Sequence, residues 1–284
     1  MSIQNPASSS LFLVATPIGN LGDISTRAVE VLGQVDIIAA EDTRHSKRLL
    51  SHYGIRTRLQ AYHEHNETQQ TPVLIEKLRK GSSIALISDA GTPLVSDPGY
   101  RLVEAAHAQG IRVVPVPGAC AAIAALSAAG LPTDRFVFEG FPPAKQAARV
   151  KYLAALQHEQ RTLVFYESCH RIRECLRDMA QVFGAERPAT LAREITKTFE
   201  TIRKSVLGEL SDWVAQDSDQ QKGEIVLIVA GHAAIADEEA NAGLDAMLQV
   251  LVEELPLKQA AAIASKLTGI GRNIAYKRAL ELKA

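Results

Sequence analysis

The chain has 284 residues, 46% hydrophobic and 22% charged, which supplies a sizeable core and excludes disorder, collagen and a disulfide-stapled miniprotein. Its 31 Lys and Arg nearly balance 32 Asp and Glu, for a net charge of -1. A polyanionic partner must therefore be met by a local basic patch rather than by overall charge.

Residues 1–10 carry no basic residue and read as a flexible tail, and the apolar run at 11–15 is too short for a signal-peptide core. From there, short apolar runs alternate with longer helical patterns. The runs at 11–15, 37–40, 84–88 and 112–116 read as buried strands, being short, rich in β-branched residues and bounded by Gly, Pro or polar residues. Between them, 25–32, 67–80 and 100–109 carry apolar residues at helical spacing. This predicts an α/β layout with a largely parallel sheet.

A second alternation follows, with strands at 135–138, 162–166, 190–192 and 225–230 and helical patterns at 145–156, 172–182 and 207–214. Gly130 and Pro132 interrupt the pattern before it, so the expected units are an N-terminal α/β domain, 11–130, and a second α/β domain, 131–233. A cleft between the two is the default ligand site. Past His232, residues 236–254 hold six acidic and no basic side chains, whereas 257–284 hold six basic ones and only Glu281. The segment 240–284 is expected to form three short helices, with Gly269 and Gly271 between the second and third. It reads either as an amphipathic cap or as a small helix-turn-helix-like module whose Lys266, Arg272, Lys277 and Arg278 meet phosphates.

The longest stretch of small apolar residues, 119–131, falls short of the roughly 18 that suggest a membrane span, so no membrane anchor is expected. Cys120, Cys169 and Cys175 form no CxxC pair, which suits free thiols in a reducing, cytoplasmic compartment.

Three loops stand at the carboxyl ends of predicted parallel strands, where open α/β sheets bind ligands. The first, Thr16-Pro17-Ile18-Gly19-Asn20-Leu21-Gly22-Asp23, has neither GxGxxG nor a Walker lysine, which argues against a dinucleotide or P-loop site. The second runs from Ser88 to Gly99 and holds Asp89, Gly91, Thr92 and Pro93. In it Asp97, before Pro98, is placed to cap the helix starting at Gly99, while Asp89 sits at the strand end. The third, Pro117-Gly118-Ala119-Cys120-Ala121, is small enough for a ligand to approach the backbone, or for tight helix-sheet packing. All three are expected to converge on one crevice.

These loops, with Ala40-Glu41-Asp42-Thr43-Arg44 and Tyr166-Glu167-Ser168, resemble the RsmI family of small-subunit ribosomal RNA 2'-O-ribose cytidine methyltransferases. That family belongs to the tetrapyrrole-methylase-like, class III group, and the likeness runs from Leu11 through the basic C-terminal module. It implies two α/β domains, a homodimer, 16S rRNA within the 30S subunit as substrate, and S-adenosylmethionine in the cleft. It would set Pro17, Asp89, Gly91, Thr92, Pro93, Ala119, Cys120 and Ala121 around the donor, with Tyr166 and Glu167 near its adenine. The wider group's first loop is GxGPG, whereas this chain has Pro17-Ile18-Gly19-Asn20, a difference that bears on substrate.

Methyl transfer from a sulfonium needs no metal and gains chiefly from in-line positioning. A ribose hydroxyl also benefits from a base. Candidates are Asp42, and Glu194 and Lys197, although Arg193, Glu194 and Lys197 could equally be a surface salt-bridge run. The run His63-Glu64-His65-Asn66-Glu67 does not by itself make a metal-ligand set and suits a solvated or RNA-facing loop. His45 and His170, beside Arg44 and Arg171, are candidates for phosphate or ribose contacts, and Lys145, Arg149 and Arg173 for the basic rim of the cleft. Alternative functions are methylation of a small molecule such as a tetrapyrrole, and a non-enzymatic nucleic-acid-binding ligand sensor.

Overall fold

The computed structural model describes residues 9–232 and 238–283. Of the expected N-terminal tail, residues 1–8 lie outside these, as do residue 233 of the expected second domain, residues 234–237, and residue 284 of the expected C-terminal module.

The first sheet contains β1 (Ser10–Val14), β2 (Ile37–Ala40), β3 (Arg58–Ala61), β4 (Ile84–Ile87) and β5 (Arg112–Val116), in the order β3-β2-β4-β1-β5. All its pairings are parallel. Both faces are covered, which is why the central strands read as unbroken apolar runs. In β1, Leu11 and Leu13 point to one layer and Phe12 and Val14 to the other; in β2, Ile37 and Ala39 oppose Ile38 and Ala40 in the same way. One layer is completed by α3 (Glu67–Arg79) and α4 (Tyr100–Ala108), through Leu74, Leu78 and Leu102. The other is completed by α1 (Thr26–Gln34) and α2 (Thr43–His52), through Val31, Leu32 and Leu50. Ser25 caps α1 by accepting from the Ala28 amide at 3.1 Å.

The second sheet is mixed. Its strands are β6 (Phe136–Gly140), β7 (Thr162–Ser168), β8 (Pro188–Arg193), β9 (Thr201–Val206) and β10 (Glu224–Val229), in the order β6-β7-β10-β8-β9. Only β6 and β7 pair in parallel; β10 runs antiparallel to both neighbours, and β9 to β8. Helices α6 (Gln146–Ala155), α7 (Ile172–Phe183) and α8 (Leu207–Gln216) cover one face, with Leu153, Leu176, Met179 and Leu210 in the core. The other face is covered by α5 (Ala121–Ala128), whose Ala122, Ala125 and Leu126 meet Val164, Ala192, Val226 and Ile228. The helix that leaves the third loop of the first sheet therefore packs on the second sheet, so the crevice between the sheets is built into the packing.

At the C-terminal end, α9 (Glu238–Glu254), α10 (Leu257–Thr268) and α11 (Arg272–Lys283) enclose a small core of Leu244, Leu248, Ala261, Ala264, Ala275 and Ala279. The turn between α10 and α11 begins at Gly269, as the glycine pair predicts. Among the described residues, no helix is long and apolar enough to cross a membrane.

Arg149 departs from its expected place on a basic rim. Its side chain is 1% exposed and fully paired: Nη2 lies 2.7 Å and Nε 2.8 Å from Oδ2 of Asp178, and Nη1 donates to the Ala144 carbonyl at 3.1 Å. It sits on the inner side of α6, where an arginine is accommodated because every charge-bearing group has a partner, and it anchors the loop between β6 and α6. We expect Asp178→Asn, which strands this cation, to lower unfolding free energy in urea by about 3–5 kcal/mol. Replacing both partners together, as Arg149→Met with Asp178→Leu, should recover most of that loss; a double variant as unstable as the single one would contradict the assignment.

Candidate active site

Main-chain clamps draw the three predicted loops together. Thr16 and Gly91 exchange backbone hydrogen bonds of 2.9 and 3.1 Å, and Thr16 Oγ1 donates to the Ser88 carbonyl at 3.2 Å. Thr92 Oγ1 donates to the Ala119 carbonyl at 2.9 Å, joining the second loop to the third. From the second sheet, Tyr166 accepts the Ala122 amide at 3.1 Å, fixing the start of α5, while Phe138 and Phe141 meet its ring edge-on.

These loops wall a cavity of about 510 Å³, within the range of small-molecule sites. Of the residues expected around a donor, Asp89, Gly91, Thr92, Cys120, Ala121, Tyr166 and Glu167 line it. Ala119 contributes the carbonyl that holds Thr92, and Pro93 is buried behind the wall. Pro17 lines an adjoining cavity of about 310 Å³ instead.

Five carboxylates line the main cavity, Glu41, Asp89, Asp97, Glu167 and Glu224, and no Lys or Arg does. Burial, and then the charge of Asp89, raises the pKa of Glu41. Burial and the charge of Glu41 push Asp97 up to about 6, against a hydrogen bond from Ser88 and with a further push from Asp89. Asp97 is therefore not the helix cap expected of it: α4 starts at Tyr100, its N-cap is Gly99, and no side chain caps it. Glu167 Oε1 pairs with Arg171 at 2.7 Å, and its buried Oε2 lacks any N–H or O–H donor. Arg171 is thereby committed to an ion pair with Glu167 and does not line the cavity. Glu41, Asp97 and Glu224 were not singled out for ligand contact in the sequence; the available signals were the positions of Glu41 and Glu224 at strand ends and of Asp97 in the second loop.

The adjoining cavity carries the Lys and Arg side chains that the main one lacks. His45, Arg48 and Lys197 line it, and it shares Ile18, Asp89, Ala90 and Glu224 with the main cavity. Lys197 belongs to a loop pressed against the first sheet's first loop. Asn20 N–H donates to Thr196 Oγ1 at 3.1 Å, and a Cβ on Gly19 would stand 2.4 Å from Lys197 Cγ. Lys197 Nζ bridges Glu194 at 2.8 Å and Glu224 at 3.0 Å. Burial disfavours the ammonium, but those two carboxylates prevail and raise its pKa. Burial likewise works against the Glu194 carboxylate, yet the Lys197 and Glu224 hydrogen bonds lower its pKa. The pair is thus a standing cation and anion, not a neutral amine.

Glu194 and Thr196 hold left-handed backbone angles, φ 52° and 67°, which cost energy for non-glycine residues and point to a constrained role. Opposite them, Gly223 (φ 79°) leaves room for Glu194: a Cβ there would lie 2.3 Å from its Oε1. Arg193 is not part of a surface run. It is 7% exposed and holds the loop through the Phe199 carbonyl and Thr201, each at 3.1 Å.

Asp42 has a structural task, since its Oδ1 caps α2 by accepting from the Arg44 and His45 amides, which lower its pKa. Its own amide donates to Asp89 Oδ1 at 3.0 Å and so positions that carboxylate. Arg44, His45, Lys145, His170, Lys266, Arg272 and Lys277 are exposed. Arg278 is engaged within the C-terminal module, with Asp245 at 2.7 Å and Glu281 at 3.1 Å, which leaves it poorly suited to a phosphate. Among the described residues, no group of three or more His, Cys, Asp or Glu is arranged to hold a metal ion.

Comparison with known proteins agrees with this architecture. Residues 10–211 match the family described as Tetrapyrrole (Corrin/Porphyrin) Methylases, and residues 238–283 match the RsmI C-terminal HTH domain. The chain is 60% identical to Ribosomal RNA small subunit methyltransferase I of Pseudomonas aeruginosa, over 97% of this chain and 98% of that one. It is 56% identical to the protein of that name from Escherichia coli O157:H7, over 95% and 94%. Among solved structures, uroporphyrin-III-C-methyltransferase from Thermus thermophilus superposes with TM-score 0.56 at 22% identity, covering 78% of this chain and 94% of that one. Diphthine synthase superposes with TM-score 0.58 at 15% identity, covering 78% and 89%, which shows a shared fold.

Because the folded state raises the pKa of Asp97, the native state loses stability as pH climbs from the ordinary carboxylate range through about 6, and the loss persists above it. Asp97→Asn should therefore match wild type near about pH 4 and exceed it by about 1 kcal/mol at neutral pH and above, allowing for solvent screening in an open cleft. Urea unfolding at several pH values reads this directly. A difference that is flat with pH would contradict it.

Proposed function

Because the chain belongs to the tetrapyrrole methylase family, in its ribosomal RNA small subunit methyltransferase I branch, we propose that it methylates the ribose 2'-hydroxyl of a cytidine in the decoding region of 16S rRNA. S-adenosylmethionine, bound in the main cavity, would supply a methyl group already activated on a sulfonium. The fit of the cavity supports this: Glu41, Asp89, Asp97 and Glu224 suit a cation, and Ile18, Cys120, Ala121, Tyr166 and Val226 offer an apolar bed.

The observation that carries the reading is the junction of a cavity lined by no Lys or Arg with one lined by both. A cation is favoured on one side; on the other, His45, Arg48 and Lys197 favour a phosphate-bearing chain. The shared border, with Ile18, Asp89, Ala90 and Glu224, is where a nucleophile from one side can meet a methyl group from the other. Holding the two in line accounts for most of the rate gain that the chain must provide.

In this reading Asp42 is a cap, and the Glu194–Lys197–Glu224 cluster handles the ribose proton. Lys197 donates to the ribose oxygen as an ammonium, held by Glu194, and Glu224 accepts the proton, being the member open to both cavities. Exposed Arg44, Lys145, His170, Lys266, Arg272 and Lys277 are assigned to RNA contacts. The units 11–130, 131–233 and 240–284, a homodimer, a cytoplasmic setting and the 30S subunit as the acceptor particle complete the proposal.

Incubation of the purified protein with labelled donor and 30S subunits, followed by nuclease digestion, should yield labelled 2'-O-methylcytidine. Label on a base, or turnover of a small acceptor without RNA, would refute it. In the same assay we expect Glu224→Gln to reduce kcat by about 10²-fold. An unchanged kcat would remove Glu224 from the proton transfer.

A further inference from the structure

Helix α2 presents cations on two sides, and only one of them faces the adjoining cavity. His45 and Arg48 lie on that side. On the other side, Arg44, Lys47 and Arg56 rim a separate groove of about 720 Å³ between α2 and β3, floored by Leu50, Ile55 and Leu59. From residue 43 to 63 the chain has no Asp or Glu but holds Arg44, Lys47, Arg48, Arg56 and Arg58. All five are exposed, and among the described residues none forms an ion pair.

That concentration is local. Several surface cations elsewhere are answered by carboxylates: Arg79 and Lys80 by Glu76, Arg101 by Glu67, Lys222 by Asp219. In a chain of net charge -1, five unanswered cations gather in one helix–strand unit, and three of them, Arg44, Lys47 and Arg56, focus a positive potential on the groove. The lining fits phosphate in kind as well as in sign. Arg44 and Arg56 offer planar forks, and Thr43 and Ser51 add hydroxyl donors. No aromatic ring lines the groove, so it offers no platform for base stacking and is suited to backbone alone. Asp42, the cap of α2, also positions Asp89 in the main cavity, so the groove and the reaction site hang on one helix.

We propose that the α2–β3 groove is a docking track for RNA backbone, engaging phosphates that flank the nucleotide held at the active site. The proposal rests on the reading of the chain as acting on ribosomal RNA and adds to it a second, sequence-independent contact. The track supplies affinity and register while the cavities supply chemistry.

The test uses the full chain carrying Lys47→Gln with Arg56→Gln, purified 30S subunits and protein-free 16S rRNA, and equilibrium binding over a salt series. Loss of two single-strand phosphate contacts should reduce the slope of log affinity against log salt by about 1.4, which amounts to about twentyfold weaker binding at about 0.1 M salt. S-adenosylmethionine affinity by calorimetry should equal that of wild type, which verifies folding. The comparison variant Arg79→Gln with Lys80→Gln, of equal charge change, should bind RNA as wild type does. Unchanged slope in the groove variant, or equal loss in the comparison variant, overturns the proposal. A defect seen with 30S subunits but absent with protein-free rRNA would make an acidic protein surface the partner, and also overturns it. Absence of salt-dependent RNA binding by the wild type would overturn the ribosomal reading along with the track.

Discussion

Two short ties between loops, the backbone bridge of Thr16 with Gly91 and the Thr92 hydroxyl on the Ala119 carbonyl, set the geometry on which the site depends. Parallel strands deliver their carboxyl ends to one edge of a sheet, but that alone leaves flexible loops. The ties turn those loops into a wall, and α5, leaving the third loop, carries the wall onto the second sheet. Tyr166 closes the arrangement from the far side through the Ala122 amide. The crevice thus follows from where helices must bury their apolar faces, and the Asp42 amide sets Asp89 at its edge.

Burying carboxylates beside one another is costly, and the cost is visible in Glu41 and Asp97, both raised first by burial and then by a neighbour's charge, that of Asp89 on Glu41 and of Glu41 on Asp97. A site that tolerates this is preorganised for a cation, because binding one relieves the repulsion. The basic residues are kept on the other side of the border, on α2 and on Lys197, where two carboxylates hold the ammonium charged. Near-neutral overall charge therefore conceals a strong local separation of sign, suited to a reaction between a cationic donor and an anionic polymer.

Much of this was legible in the sequence. The central strands announced themselves because each face is buried, and the three loops could be found because they follow those strands. The strands that were missed are both at edges: β3 reads Arg-Leu-Gln-Ala and β9 reads Thr-Ile-Arg-Lys-Ser-Val, polar enough to pass for loop. The antiparallel character of the second sheet was also hidden, since pairing direction leaves little trace in a short apolar run. At the site, what failed was the inference from residue type to environment. Arg149 reads as a surface cation until Asp178 is seen beside it, twenty-nine positions along the chain. Asp97 reads as a cap until Gly99 proves to hold that place. Both errors concern partners distant in sequence or a turn whose left-handed Leu94 and Ser96 no propensity foretells.

The most direct test of the account is a crystal structure of the protein with S-adenosylmethionine. The account predicts electron density in the cavity walled by the three loops, with the sulfonium within about 4–6 Å of at least one of Asp89, Asp97 and Glu224 and the methyl group directed at the border shared with Lys197. Density in the basic cavity, or a sulfonium turned away from those carboxylates, would contradict it.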